Sequence, residues 1–443
     1  MRTAAIPTGP ARGEHFLPLR PGELIARLAD DPAVTIFERE QFRQLCQLLA
    51  ATIHHEYHAR LEALKAAYAP FDPDADAIPL APAAEPARER ARCGELFAQF
   101  DDLLARANYR RLSRQELEAA IRAPNRSGLR FSLDLALFER LEIYVRGACE
   151  LSRTTRSWRT GWRDVVEPLA AYRRLAIIFR LRERLPGGEP LPPRAVVLKL
   201  FKDIPQAEIE TLLPGGQVRI GWWEQAKIAV PTASGLALAL LKLLKGAAGV
   251  AVASAASLVA FLSLVGGALG YAVRSFHSYL RAREKHQLSL TRHLYFQNLD
   301  NNAGVLYHLL AEAEEQELRE VVLAWWLLWR GGLAGATPSQ IDAAAERWLA
   351  EHCGLAADFE IADALAKLER LGLAHPRQAA EGSRRPPVAA PAAGHASAAR
   401  WHPVSVEEAL AALDRAWDAL YHFEQPATIP LPAARVVPRR RAA

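Results

Sequence analysis

A group of carboxylate and amide side chains near residue 300 is the best candidate for chemistry in this sequence. Asp300 and Asn301 precede a glycine, and Glu312 and Glu315 lie about one turn apart on the helix predicted to follow. Carboxylate and amide oxygens are the ligands that hard cations such as Mg²⁺ and Ca²⁺ prefer. The four residues therefore form a candidate metal site. The alternative is that the Asx residues cap a helix and the glutamates lie on a solvated face.

A second candidate lies in the segment KLFKDIP, where a predicted strand meets a predicted helix. Its charged residues are Lys199, Lys202 and Asp203. Helix N-termini attract anions, so these residues are a candidate contact for an anion or a partner. A structural packing motif is the alternative. The sequence lacks a glycine-rich phosphate loop, so the pattern does not favour nucleotide binding.

A third candidate is the segment SRTTRSWRTGWR, in which arginine alternates with tryptophan. Arginine and tryptophan together suit the headgroup region of an anionic bilayer. The candidate lipid contacts are Arg156, Trp158, Arg159 and Trp162. An exposed loop is the alternative interpretation.

The longest apolar segment predicts that the chain is an integral membrane protein. Residues 246–273 contain no charged side chain, and a spanning helix needs about 20 predominantly apolar residues. The preceding stretch, 228–241, is short for a span, but it lengthens if Lys242 and Lys245 snorkel to the interface. We therefore expect a transmembrane helical hairpin at 228–273, with a single span as the alternative.

The charges around this segment predict its orientation. Basic residues near the base of the hairpin outnumber the two lysines at its tip, which favours both chain termini on the cytoplasmic side. These basic residues are Arg219, Lys227, Arg274, Arg281, Arg283 and Lys285. Residues 228–273 contain no Asp, Glu or His that could carry protons or ions, so the hairpin is predicted to be an anchor.

Periodicity along the chain predicts an α+β fold that is mostly helical, with the membrane hairpin between an N-terminal α+β domain and a C-terminal winged-helix-like domain. Helical spacing of apolar residues marks 35–70, and a second helical stretch is predicted at about 87–122. Short apolar runs predict strands at 141–146 and 175–182. Residues 321–329 are too few to span a bilayer and are predicted to form a buried helix. Ser405 and Glu408 form a capping-box pair. The predicted parts are an N-terminal helical region with a proline-rich linker (1–94), a small α+β domain (95–227), the hairpin (228–273), a helical connector (274–317), the winged-helix-like domain (318–424) and a disordered basic tail (425–443).

Charge and cysteine content narrow the function classes. The 443-residue chain carries a formal net charge of +5, which is only mildly basic. The presumed recognition helix, 358–371, is net negative, whereas contact with nucleic acid phosphates needs positive charge. The four cysteines are scattered, so neither a disulfide framework nor a zinc knuckle is expected. The N-terminus lacks an apolar run of signal-peptide length.

Two stretches resemble a known family. They are LKLFKDIPQAEIETLLPG (198–215) and LYFQNLDNNAGVLYHLLAEAEEQELREVVL (294–323), and the segment beginning FRQLCQLLAATIHHEYHARLEALKAAYAPFDPDAD fits as well. Together they resemble the transmembrane protein 143 family, which comprises an animal mitochondrial membrane protein and many bacterial relatives. The resemblance covers about residues 15–425. It implies a membrane location, two closely spaced membrane segments and no established activity.

These observations favour a membrane-anchored protein that acts by scaffolding or partner binding at the cytoplasmic face of a membrane. The bacterial inner membrane is the favoured location, or a mitochondrial membrane if the source is eukaryotic. The expected partners are membrane lipid and either another protein or a second copy of the chain, without nucleic acid. The alternative is a membrane-tethered, metal-dependent enzyme that uses the region 300–315. Any cofactor remains unknown at this stage.

Overall fold

The structure is a computed structural model, and its contacts group the chain into two units. It describes residues 3–5, 14–76, 85–122, 130–132, 135–156, 164–182, 194–214, 217–219, 296–377 and 399–420, together with Gly266, Gly270 and His277. The first unit consists of Met1–Arg20, Glu56–Arg319 and Glu346–Phe359, and the second of Pro21–His55, Glu320–Ala345 and Glu360–Ala443.

The first unit is built on an antiparallel sheet. Its strands are β1 (Thr3–Ala5), β2 (Arg110–Arg111), β4 (Phe138–Arg156), β5 (Asp164–Leu181), β6 (Val196–Pro205) and β8 (Asn298–Asn301). The order across the sheet is β1-β4-β5-β6-β8, and β2 also pairs with β4. Strands β3 (Arg130–Ser132) and β7 (Gln217–Arg219) form a separate pair.

Alternation along the central strands creates the core of the first unit. Successive side chains of a strand point to opposite faces, so every second residue shares a face. Apolar side chains on one face form a buried cluster that includes Ile143, Val145, Leu175, Ile177, Phe179, Val197 and Phe201. A 3₁₀ helix, Gln206–Leu212, and α4 (Arg114–Arg122) contribute further side chains to this cluster.

Besides α4, the first unit includes residues of α2 (Ile36–Tyr68), α3 (Pro86–Arg106) and α5 (Ala303–Trp329). The buried Tyr57 hydroxyl donates to Glu317 at 2.7 Å, and the Tyr68 hydroxyl donates to the carbonyl of Val196 at 3.0 Å. Buried tyrosines thus link α2 to α5 and to the sheet.

The second unit contains most of the remaining elements. They are α1 (Pro21–Ala29), the first part of α2, the last turns of α5, the start of α6 (Pro338–Cys353), α7 (Ile361–Arg370), β9 (Ala374–Arg377), β10 (Arg400–Pro403) and α8 (Val406–Leu420). Phe42 stacks on Trp325 and Trp329 with ring centroids 6.1 and 5.9 Å away. Strand β9 pairs with β10, and Ala336 forms a single bridge to Trp401.

Several local predictions are confirmed. The long N-terminal helix is α2. The apolar run at 321–329 is the buried end of α5. The capping box is present, since Ser405 Oγ accepts the N–H of Glu408 at 3.2 Å and Glu408 accepts the N–H of Ser405 at 3.0 Å. The architecture is mixed α and β, as expected.

Other local predictions were wrong in extent. The predicted helical stretch at 87–122 is two helices, α3 and α4, separated by β2. The strands expected at 141–146 and 175–182 are parts of the much longer β4 and β5. The outer end of β4, residues 150–156, is mostly polar, and ladder hydrogen bonds rather than apolar alternation pair it with β5. The division into six consecutive parts stays a prediction.

The predicted membrane hairpin, 228–273, lies outside the described residues, apart from Gly266 and Gly270, which are both helical. Among the helices that the structure describes, none combines the length and the apolar character needed to cross a bilayer. The winged-helix-like arrangement and the disordered tail also stay predictions, and residues 421–443 are outside the described part of the chain.

Candidate functional site

Glu312 lies at the centre of a buried polar cluster in the first unit. Its Oε1 atom forms an ion pair with Arg146 Nη2 at 2.8 Å and accepts a hydrogen bond from Arg174 Nε at 3.2 Å. Its Oε2 atom accepts the Tyr109 hydroxyl at 2.7 Å, and His308 Nε2 lies 3.6 Å from Oε1. Helix α5 therefore meets β4 and β5 through one carboxylate held by two guanidinium groups.

These contacts set the charge state of Glu312. Burial alone would raise its pKa, but the hydrogen bond from His308, the charges of Arg146 and Arg174 and the Tyr109 hydroxyl outweigh it and lower the pKa to about 2. The carboxylate is therefore ionised near neutral pH. Hydrogen bonding to Glu312, opposed by burial, also raises the pKa of His308.

Asp300 extends this cluster to the start of α5. Its Oδ2 atom lies 2.7 Å from His308 Nδ1. A Cβ atom at Gly304 would lie only 2.9 Å from Asp300 Oδ1, so glycine is needed there for Asp300 to come this close. The chain Asp300, His308, Glu312 is thus a row of polar groups from the end of β8 along α5.

Asn302 fixes the turn between β8 and α5. Asn302 is buried, and its backbone φ is 46°. Asparagine tolerates this left-handed conformation better than most residues do. Its Oδ1 atom accepts the N–H of Leu198 at 3.2 Å, and its Nδ2 atom donates to Asp74 at 2.5 Å. This side chain joins β6, the turn and the loop after α2.

The sheet is deformed in one row beside this cluster. Gly147 in β4, Arg173 in β5 and Asp203 in β6 lie between the paired rows Arg146–Arg174–Lys202 and Ala148–Tyr172–Ile204. Gly147 has a φ of 75° and Asp203 a φ of 53°. A left-handed backbone at a residue other than glycine costs on the order of 1–3 kcal/mol and is concentrated at functional sites.

A cavity of about 300 Å³ opens at this deformed row. Phe16, Gly147 and seven charged residues line it, and the charged residues are Arg146, Arg173, Arg174, Arg319, Asp203, Glu312 and Glu315. The Arg146 guanidinium stacks 3.9 Å above the Phe16 ring. Behind Gly147, the Glu14 carboxylate accepts a hydrogen bond from the N–H of Ala148. Burial raises the pKa of Glu14, although this hydrogen bond and the nearby charge of Arg173 lower it.

The residues predicted to bind a metal do not share one coordination shell. Asp300 contacts His308, Glu312 contacts the two arginines, and the half-exposed Glu315 pairs with Arg319 at 3.3 Å. Asn301 is exposed and pairs in the sheet with Lys199. Over the ranges that the structure describes, no set of three or more His, Cys, Asp or Glu side chains is arranged to hold a metal ion.

The other predicted site residues lie in different surroundings. Lys199 and Lys202 are within β6 rather than at its end, and only Asp203 reaches the cavity. Arg156 is the last residue of β4. Trp158, Arg159 and Trp162 lie outside the described residues, so their contact with lipid stays a prediction.

Sequence patterns did not identify Arg146, Arg174, Tyr109 or His308. One signal was available, since Arg146 closes the apolar strand segment LEIYVR. A charged residue that continues a buried strand requires a partner. Nothing local to that strand pointed to Glu312, which is far away in the sequence.

Fold and site together define a mixed α and β protein with an antiparallel sheet and an arginine-lined cavity. Residues 172–304 match the model of a family described as a protein of unknown function, DUF3754, so this domain is found there. The match includes Arg173, Arg174, Asp203 and Asp300. It does not link the chain to the transmembrane protein 143 family, so that resemblance is supported only as far as a domain of unknown function. No solved structure matches the chain.

Proposed function

We propose that this protein is a membrane-anchored binding protein, held in the bilayer by a helical hairpin at 228–273 with its folded units on the cytoplasmic side. The observation that carries the proposal is the uncharged stretch 246–273. Such a segment is more stable among lipid tails than in water. A bacterial inner membrane is the proposed location.

Binding is favoured over catalysis by the state of the buried polar groups. A general base needs a pKa near the working pH and a free lone pair. Glu312 does not meet the first condition, because its pKa is lowered to about 2, and its oxygens already contact Arg146, Arg174 and Tyr109. This carboxylate suits a role in holding α5 against the sheet.

We further propose that the second unit has a winged-helix-like arrangement that contacts protein rather than nucleic acid. Support comes from the order α5, Ala336, α6, α7, β9, β10, with the bridge between Ala336 and Trp401. On α7, Lys367 is only 5% exposed, whereas Asp363 and Glu369 are exposed beside Arg370. Such a face offers little attraction to a phosphate backbone.

Membrane extraction tests the anchor. After alkaline carbonate washing of membranes, we expect the full-length protein to remain in the pellet. Leu258→Arg changes the insertion free energy at the helix centre by about 3–4 kcal/mol, so a larger fraction should be released. Ser278→Arg, outside the uncharged stretch, is the matched control and should behave as the wild type. Complete release of the wild-type protein would contradict the proposal.

A further inference from the structure

The deformed row of the sheet reverses the alternation of side chains. Tyr172 and Leu175 both pack against the same apolar cluster, although they are three residues apart on β5. Phe201 and Ile204 do so on β6. In a regular strand, residues three apart point to opposite faces. The reversal therefore occurs between them, at Arg173 and Asp203.

The consequence is that two consecutive residues of β5 reach the same side of the sheet. Arg173 and Arg174 both line the cavity, whereas neighbours in a regular strand would diverge. Glycine at position 147 is required for this arrangement, because a Cβ atom there would lie 2.8 Å from the Cβ of Arg173. The left-handed backbones of Gly147 and Asp203 thus add Arg173 to the cavity lining beside Arg174.

The cavity offers cations that are held in place before any ligand arrives. The side chains of Arg146 and Arg319 are each 4% exposed. Glu312 orients Arg146 and Arg174, and Arg319 donates to the carbonyl of Leu19 at 2.6 Å. Four arginines and three acidic residues, Asp203, Glu312 and Glu315, line the cavity. These seven residues carry a net charge of +1, and the Glu14 carboxylate lies behind Gly147.

We propose that this cavity binds a phosphate group, supplied by a soluble phosphomonoester or by a phosphomonoester lipid headgroup. Guanidinium groups form directional, charge-assisted hydrogen bonds to phosphate oxygens. A volume of about 300 Å³ is at the small end of ligand sites, which suits one phosphate group with a short substituent. The proposal goes beyond membrane anchoring and does not depend on it.

The test is calorimetric titration of the purified full-length protein with inorganic phosphate at constant ionic strength. We expect saturable binding to the wild type. Arg173→Gln removes one charge-assisted donor and should weaken binding about tenfold or more. The matched control is Arg114→Gln, because Arg114 is 83% exposed on α4 of the same unit. It should bind as the wild type does.

Glu315→Gln provides a change in the opposite direction. It removes an exposed carboxylate from the cavity lining, so phosphate should bind several-fold more tightly. This variant decides the matter if Arg173→Gln fails to fold. The proposal is overturned if the wild type does not bind phosphate, if Arg173→Gln binds as well as Arg114→Gln, or if Glu315→Gln leaves affinity unchanged or lower.

Vesicles distinguish the two sources of the phosphate group. If a lipid headgroup is the ligand, phosphatidic acid should increase retention on phosphatidylcholine vesicles, and inorganic phosphate should abolish that increase. Where a soluble phosphomonoester is the ligand, glycerol 3-phosphate should bind and adding phosphatidic acid to the vesicles should not increase retention. If phosphatidic acid does not increase retention and glycerol 3-phosphate does not bind, the cavity does not take a phosphomonoester and the proposal fails.

Discussion

Glu312→Ala is expected to destabilise the first unit by roughly 3–5 kcal/mol. The substitution leaves the Arg146 guanidinium buried, with a side chain 4% exposed, and without its carboxylate partner. It also removes the acceptor of Tyr109 and one partner of Arg174. Breaking a buried pair costs much more than the pair's net contribution, because the remaining charge stays desolvated. Thermal and denaturant unfolding of the purified protein would measure the effect.

The control for this prediction is Glu118→Ala, which breaks an exposed pair with Arg114 and should cost at most about 1 kcal/mol. Glu312→Gln removes the negative charge but keeps the shape of the side chain. Because the folded pKa of Glu312 lies below its ordinary value of 4.5, its stabilisation is present above pH 4.5 and is lost as the pH falls from 4.5 towards 2. The advantage of wild type over Glu312→Gln should therefore shrink in that window. Equal stabilities for Glu312→Ala and Glu118→Ala would contradict the structural role.

Glu210→Gln is expected to stabilise the protein at pH 8. Glu210 is 2% exposed and lies in the 3₁₀ helix Gln206–Leu212, between the core residues Ile209 and Leu212. Within the described part of the chain its Oε2 atom has no hydrogen-bond partner. Burial raises the pKa of its carboxyl group to about 7. An unsatisfied buried polar group costs about 1–3 kcal/mol, and the cost is greater for a charged group. The neutral amide of glutamine avoids the additional cost of burying the charge.

The pH dependence gives the sign of this effect. The folded state holds the proton of Glu210 more tightly than the unfolded state, so wild-type stability declines as the pH rises from 4.5 to about 7 and stays reduced above that. The gain from Glu210→Gln should grow over the same window. Glu208→Gln, on the same 3₁₀ helix but half-buried, should change stability by no more than about 0.5 kcal/mol. A Glu210→Gln variant less stable than wild type at pH 8 would show that the carboxylate has a partner.

Local sequence signals were sufficient for the elements that depend on local interactions. Helix α2 follows from the helical spacing of apolar residues, and α8 begins at the capping box of Ser405 and Glu408. The sequence predicted strands β4 and β5 only in their apolar segments, 141–146 and 175–182. Its outer half contains segments such as ELSRTTR, whose strand conformation depends on pairing with a distant segment and not on local preference.

The candidate site was less accessible to prediction, because its partners meet only in the folded protein. Asp300 and Glu312 were predicted from the sequence as candidate metal ligands, but the sequence does not show that arginines from β4 and β5 surround Glu312. The deformed row depends on Gly147 and Asp203, which occur in different strands. A local sign of it was Gly147, which directly follows the strand predicted at 141–146.

We propose that the segment 228–273 enters the bilayer as a hairpin with both flanks on one side. The most direct measurement places a topology reporter after Ala443 and, in a separate fusion, near Gly246 at the predicted tip. We expect the two reporters to lie on opposite sides of the membrane, with the one after Ala443 in the cytoplasm. Reporters on the same side would contradict the hairpin.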